Sequence, residues 1–341
     1  MRELHRLSVI FSFYNEAPVL NELVSRTTNS IDILGCDYEL IFVNDDSTDN
    51  SLEILLDLAE QDGRIKIVTM SRRFGVHPCV LAGLRYASGD AVVYMDADLQ
   101  DPPEQIPAMV EKFRQGADVV NMTRSARNGE SATKMWITRM AYKVINRLSD
   151  VPIPENTGDF KLISRRVVDH LMTFRETDPF MRGLVYWVGF RQDTIHYVRE
   201  SRFAGVTHFS MFGSGPAKEF LRGITSFSVA PLYLSLFIGL LATLIAFGNI
   251  ISILIMKLMG KNLPGWTAIM TSTLFMGGTI HICIGIIGIY VGKMYTESKQ
   301  RPLYIVKDIV GNFAPPLFNN TARGNISESY TADRARIQED E

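Results

Sequence analysis

With 341 residues the chain has room for one large or two modest domains, and a formal net charge of -2 leaves no electrostatic footprint for nucleic acid. Its 3 cysteines, Cys36, Cys79 and Cys283, lie far apart, lack metal-ligand spacing and fit a reducing compartment without a disulfide framework. The charged stretch from Met1 to Arg6 runs straight into an apolar strand, so no cleavable signal peptide is visible.

Taken in order, Leu7 to Phe13 reads as a short apolar strand, followed by Tyr14-Asn15-Glu16 and a helical pattern with Val19, Leu20, Leu23 and Val24 on one face. Tyr38 to Val43 is a second strand, and the Ser/Asp cluster after it suits the N-cap of a helix carrying Leu52, Ile54, Leu55 and Leu58. A strand over 65–70, a helix over 75–87, a strand over 91–95, a helix over 104–114 and a strand over 119–122 follow. Such alternation predicts an α/β domain, a mostly parallel sheet covered on both faces. Ligands of these sheets bind at the carboxyl ends of the strands. Tyr14-Asn15-Glu16, Asp45-Asp46 and Asp96-Ala97-Asp98 all fall at that edge, so three polar clusters distant in sequence converge on one crevice.

The most informative stretch is Asp96-Ala97-Asp98-Leu99-Gln100, at the mouth of the strand over 91–95. Two carboxylates two residues apart point to one side in extended geometry. Asp96, Asp98 and the amide oxygen of Gln100 suit Mg2+ or Mn2+, which take hard oxygen ligands and are often shared with a substrate's phosphates. A solvated acidic turn is the bland alternative, and convergence with the other two clusters weighs against it.

Two segments stand apart. Val229 to Met256 contains no Asp, Glu, Lys, Arg or His, and from Leu263 to Gly292 the only ionisable group of that kind is His281. Both exceed the roughly 20 residues needed to cross a bilayer, and they read as a membrane hairpin over about 229–256 and 265–292. Lys218 and Arg222 before it, and Lys293, Lys299, Arg301 and Lys307 after it, put both ends in the cytoplasm, although Lys257 and Lys261 in the connecting loop weaken the bias. Trp266 and Tyr290 suit interfacial anchors. The expected organisation is thus a catalytic domain over 1–208, an amphipathic interfacial helix over 209–228 with Phe220, Leu221, Ile224 and Phe227 as its apolar stripe, the hairpin over 229–294, a basic cytosolic segment over 295–318 and a disordered polar tail over 319–341.

The blocks F-Y-N-E (13–16), V-N-D-D-S (43–47), S-R-R-F-G (71–75), D-A-D-L-Q-D-P-P-E (96–104), T-G-D-F-K-L (157–162), F-M-R-G-L-V-Y-W-V-G (180–189) and R-x-x-R-F-A-G-x-T (199–207), followed by two membrane segments, resemble the inverting glycosyltransferases of family two. Within it they resemble the bactoprenol glucosyltransferases of O-antigen and lipopolysaccharide modification, relatives of dolichol-phosphate mannose synthase. That resemblance implies a GT-A-type fold, a UDP-sugar donor, most simply UDP-glucose, and a polyprenyl phosphate acceptor at the cytoplasmic face of a cell membrane. It implies donor contacts from Tyr14, Glu16, Asp45, Asp96, Ala97 and Arg72, with Asp45 accepting from the uracil N–H. It places the metal on Asp96, Asp98 and Gln100, a catalytic pair on Asp159 and Asp98, and phosphate contacts on Arg124, Arg127, Arg202 and His208. A helix N-cap is the bland alternative for Asp159.

Three positions depart from the family pattern. Asp46 replaces the usual Gly after Asp45, Ser12 replaces a usual Pro, and His208 stands where a Lys is usual. A processive polysaccharide synthase of the same fold would call for a Q-x-x-R-W-type block and further membrane segments, and a catalytically silent membrane scaffold would not need the carboxylates and arginines. Gly277, Gly278, Gly285 and Gly288 permit close helix approach and hence a homo-oligomer. A His at the phosphate titrates near pH 6.5, so sugar transfer is expected to fall as pH rises through that range, which a pH profile of transfer tests.

Overall fold

The computed structural model describes residues 2–126, 140, 146–147, 157–200, 228–259 and 265–313. Eight strands form one sheet: β1 (Arg6–Phe13), β2 (Asp37–Asn44), β3 (Ile65–Met70), β4 (Ala91–Asp96), β5 (Val119–Ala126), β6 (Thr157–Ser164), β7 (Gln192–Val198) and β8 (Val306–Val310), in the order β7-β5-β6-β4-β1-β2-β3-β8. Between them run α1 (Leu20–Asp32), α2 (Ser51–Gln61), α3 (Val76–Tyr86), α4 (Ile106–Arg114), α5 (Arg165–Leu171), α6 (Met181–Trp187), α7 (Ala230–Leu258) and α8 (Gly265–Ser298). The central pairings are parallel, β6 runs antiparallel between β4 and β5, and β8 lies antiparallel on β3.

The strands are near-continuous apolar runs because both faces of the sheet are covered. Leu7, Val9 and Phe11 of β1 join Leu40 and Phe42 of β2 in one core layer with α1, α2 and α4, and the Phe11 and Phe42 rings stack at 4.8 Å. The alternate residues Ile10, Ile41, Val43 and Val92 enter a second layer with α3, α5 and α6. Each such buried side chain contributes roughly 1.5–3 kcal/mol.

This topology fixes the crevice. The chain leaves β1 toward β2 on one side and returns to β4 on the other, so the sheet's switch point lies at the carboxyl ends of β1 and β4, where Ser12 and Asp96 are register partners. Three non-glycine residues, in the loops after β1, β2 and β4, adopt left-handed backbone: Asn15 (φ 56°), Asp46 (φ 61°) and Leu99 (φ 56°). Asn15 also ties the first two loops together, its Oδ1 accepting from the Thr48 N–H at 2.8 Å while its own N–H donates to Ser47 Oγ at 3.0 Å.

Several expectations are corrected. The bland alternative for Asp159 falls away, since it lies on strand β6, itself not expected, and the helix begins only at Arg165. β7 and β8 were not anticipated. The latter draws 306–310 out of the supposedly separate basic segment into the sheet, and Leu303, Tyr304, Val306 and Phe313 pack against the second core layer.

Helices α7 and α8 correspond to the two apolar segments, α8 continuing past Gly292 to Ser298. Their most apolar windows, Ala230–Asn249 and Ser272–Ser298, have mean hydropathies of 2.1 and 2.0 and are only 6% and 0% buried, so neither is the core helix of a soluble domain. Tyr290 Oη donates to the Ser228 carbonyl at 2.8 Å and Cys283 Sγ to that of Ser235 at 3.4 Å, which aligns the helices as a hairpin. At its base, Glu297 accepts from the Thr177 N–H at 2.7 Å, joining α8 to the loop that precedes α6. The interfacial helix, the polar tail and the Trp266 side chain fall outside the described residues.

Because Asp46 is exposed, its left-handed backbone is the dominant constraint at that position. Asp46→Val is expected to destabilise the protein by about 1–2 kcal/mol, whereas Asp46→Gly keeps or slightly raises stability, as thermal unfolding of the detergent-solubilised protein will report.

Candidate active site

At the end of β4 burial alternates: Asp96, Asp98 and Gln100 are partly exposed toward the crevice, while Ala97 and Leu99 are buried. The Gln100 N–H donates to Asp98 Oδ1 at 3.1 Å, closing the turn that the left-handed Leu99 allows. Burial, with the neighbouring charges of Asp159, Asp98 and Asp101, pushes the Asp96 carboxyl up to about 8. A group of this kind is most readily ionised when a cation arrives.

Asp101, the last carboxylate of D-A-D-L-Q-D, is 1% exposed and acts as a hub. It accepts a short hydrogen bond from Tyr197 Oη; its Oδ2 lies 3.7 Å from Arg124 Nη2 and its Oδ1 3.5 Å from Arg199 Nε. Arg199 also reaches toward Asp98, with Nη2 3.9 Å from Oδ2. Arg124 Nε donates to Tyr197 Oη at 3.3 Å. Its guanidinium lies against Gly158, where a Cβ would stand 3.0 Å from Nη2, so the glycine of T-G-D leaves room for the arginine.

Asp159 is clasped by Arg182 of α6: Nη2 donates to Oδ2 at 2.5 Å and Nε to Oδ1 at 3.0 Å. Burial would raise the Asp159 carboxyl, but Arg182, aided by His77 and Lys161, overrides it and holds the group well below the usual carboxylate range. Two residues on, the fully buried Lys161 donates to Asn121 Oδ1 at 2.6 Å, and Asn121 Nδ2 donates to Gln192 Oε1 at 3.0 Å. This chain fixes β6 to β5 and β7 beneath Asp159. Burial pushes the Lys161 ammonium down to about 7, with Asp159 opposing the shift and Arg182 reinforcing it.

On the other side of the crevice, Asp45 Oδ1 and Oδ2 accept from the Phe74 and Gly75 N–H groups at 2.6 and 2.9 Å. Asp45 thereby moulds the S-R-R-F-G loop, whose Gly75 has a φ of 97° that favours glycine. The exposed Arg72 lies over the Phe74 ring at 4.0 Å, and it is Arg73 that stacks on Tyr14, at 3.9 Å. Glu16 is buried, its N–H donating to Ser51 Oγ at 3.0 Å.

The structure therefore brings Asp96, Asp98, Gln100, Asp159 and Arg124 to one wall of the crevice and Tyr14, Glu16, Asp45 and Arg72 to the loops opposite, whereas the Ala97 side chain is turned into the core layer with Leu99. Arg127, Arg202 and His208 lie outside the described residues. Sequence reasoning passed over Asp101, Arg182, Tyr197 and Arg199. Asp101, Arg182 and Arg199 stand inside the quoted blocks, and the excess of carboxylates over cations there is the signal that each needed a partner.

Among the described residues no group of three or more His, Cys, Asp or Glu is gathered tightly enough to enclose an ion alone. The donors fit a hard divalent ion shared with phosphates, since Asp96 is disfavoured as a bare anion and the buried hydroxyl of its register partner Ser12 has no hydrogen-bond partner.

The sequence profile described as "Glycosyl transferase family 2" matches residues 8–172. A Bacillus subtilis protein named as an uncharacterized glycosyltransferase, YkcC, is 40% identical over 309 residues, covering 89% of this chain and 94% of its own. The bactoprenol glucosyl transferase of Shigella phage SfV is 37% identical over 307 residues, covering 89% of this chain and 98% of its own. Among solved structures, mannosyl-3-phosphoglycerate synthase from Rubrobacter xylanophilus aligns with a TM-score of 0.45 at 14% identity, over 65% of this chain and 73% of that one. With relatives this similar along nearly their whole length, the chain belongs to the family-two glycosyltransferases.

Proposed function

We propose that the protein transfers glucose from UDP-glucose to a polyprenyl phosphate, with inversion, at the cytoplasmic face of the cell membrane. The observation that carries this reading is that similarity to a bactoprenol glucosyl transferase runs through the catalytic sheet and the apolar hairpin alike, 307 residues in all. An enzyme whose acceptor has a phosphate head and a hydrocarbon tail needs both parts.

In this reading Asp96, Asp98 and Gln100 hold Mg2+ or Mn2+, and Tyr14, Glu16, Asp45, Ala97 and Arg72 seat the nucleotide sugar. When bound, the ion neutralises charge on the departing diphosphate. The acceptor phosphate, with a second pKa near 6, is already largely ionised at neutral pH and needs no strong base. Asp159 then orients the nucleophile. The Arg182 clasp supports that role, because it keeps the carboxylate charged and its oxygens fixed. Arg124, with Arg127, Arg202 and His208, receives the acceptor phosphate; planar guanidinium forks suit that task. Attack in a single displacement turns an α-linked donor into a β-linked lipid product.

The hairpin spans the membrane twice in this reading, and self-association through its small residues completes the assembly. β8 supports placing both ends of the hairpin on the catalytic side, since the chain rejoins the sheet right after α8, with the Ser71 N–H donating to the Ile305 carbonyl at 2.9 Å.

Purified protein in nanodiscs containing undecaprenyl phosphate, offered a panel of radiolabelled nucleotide sugars, tests the proposal. Label from UDP-glucose is expected in the lipid fraction, lost with chelator and restored by Mg2+ or Mn2+. Asp98→Ala and Asp159→Asn should each lower transfer by on the order of 10²-fold or more. Label in long polymer points instead to a processive synthase, and no transfer from any donor points to a silent scaffold.

The Arg182 clasp carries its own pH prediction. Wild-type Asp159 stays ionised throughout the working range because its folded pKa is depressed, so it contributes no acid limb there. In Arg182→Gln burial acts without that opposition and the carboxyl pKa rises, so transfer is expected to fall as pH drops through the raised value. A kcat profile that keeps its wild-type shape would contradict this.

A further inference from the structure

The D-x-D turn carries a cation of its own. Arg199, just past the end of β7, directs its guanidinium between two carboxylates of that turn, Nη2 3.9 Å from Asp98 Oδ2 and Nε 3.5 Å from Asp101 Oδ1. Its backbone neighbourhood is fastened to the same turn: the Glu200 N–H donates to the Gln100 carbonyl at 3.0 Å. Arg26 of α1 then joins Glu200 to Glu104, donating at 3.2 Å to the former and 2.7 Å to the latter. The Arg199 side chain is 27% exposed although its Nε is buried, so it lies at the edge of the crevice rather than wholly sealed beneath it. Asp101 already has Arg124 and Tyr197 as partners. Among the described residues Arg199 thus faces Asp98 from just beyond β7, and Asp98 is one of the carboxylates assigned above to the metal.

We propose that Arg199 is a positioning residue that stands in for the divalent cation at Asp98 until the metal arrives, then yields Asp98 and turns to the donor's diphosphate. This rests on the metal reading of Asp96 and Asp98. The ion and the guanidinium compete for the same anionic oxygen, and like charges brought that close repel. The arginine therefore keeps the turn shaped while the site is bare and weakens binding of the metal alone. With nucleotide present the added phosphate charge accommodates both cations, so metal and nucleotide enter together.

The test uses full-length protein in nanodiscs with Mn2+ alone, without nucleotide, free Mn2+ being read by electron paramagnetic resonance. Arg199→Gln is expected to bind Mn2+ about tenfold more tightly than wild type. It is also expected to unfold at a lower temperature in chelator, the difference closing at saturating Mn2+, while Arg199→Lys, which keeps the charge, returns both values toward wild type. Unchanged Mn2+ affinity with an equal loss of Tm in chelator and in Mn2+ would make Arg199 a plain anchor and overturn the proposal. Asp98→Ala separates the two layers: if it abolishes Mn2+ binding, the metal reading stands whatever Arg199 does, and if it leaves binding intact, both fall.

Discussion

Everything at this site follows from crowding four carboxylates, Asp96, Asp98, Asp101 and Asp159, at one end of a parallel sheet. A low-dielectric crevice tolerates such charge only where each anion has a cation or donor facing it. The protein supplies most of them internally: Arg182 to Asp159, Arg124 and Tyr197 to Asp101, Arg199 between Asp101 and Asp98. Asp96 is pushed up to about 8, first by its burial and then by the charges of Asp159, Asp98 and Asp101, with Arg199 opposing.

The same sheet that creates this demand meets it. β6, inserted antiparallel beside β4, sets Tyr94 against Lys161 and so brings Asp159, two residues earlier, toward the level of Asp96. β7, parallel to β5, carries Tyr197 to the Asp101 carboxylate and delivers Arg199 just beyond it. β6 also buries Phe160, Leu162 and Ile163 in the core layers, and each of the two strands holds one functional group at a height the parallel strands alone would not reach.

How far the sequence disclosed this depended on the length and purity of each apolar run. β1 to β4 are mostly apolar stretches ended by polar clusters, with single polar residues such as Ser8, Glu39 and Lys66 inside them, and they were legible with boundaries right to a residue or so. β6 was not, because T-G-D-F-K-L-I-S sets a buried Lys161 and an Asp in its middle, and only the ion pair to Arg182 and the hydrogen bond to Asn121 make those residues tolerable in a strand. β7 alternates weakly, and β8 is a five-residue edge strand whose partner lies far back in the chain. The D-x-D turn and Asp159 were visible as motifs. Their cationic partners were not, since pairing across the sheet depends on register, which local pattern does not encode. Asp46, by contrast, looked like a departure from the family's glycine, yet it adopts the left-handed backbone that a glycine there would take without strain.

The return of the chain onto β3 after the apolar helices bears on any attempt to prepare the catalytic half by itself. β8 covers one border of the sheet, and Phe313, beside it, sets its ring 5.1 Å from the ammonium of Lys66, which in turn is paired with buried Glu39. Ending the polypeptide ahead of the hairpin would strip away that border and lay the backbone of β3 open to pairing between molecules. A soluble version is better made by excising the two helices and bridging the gap with a short flexible linker, so that 303–313 still reaches its groove.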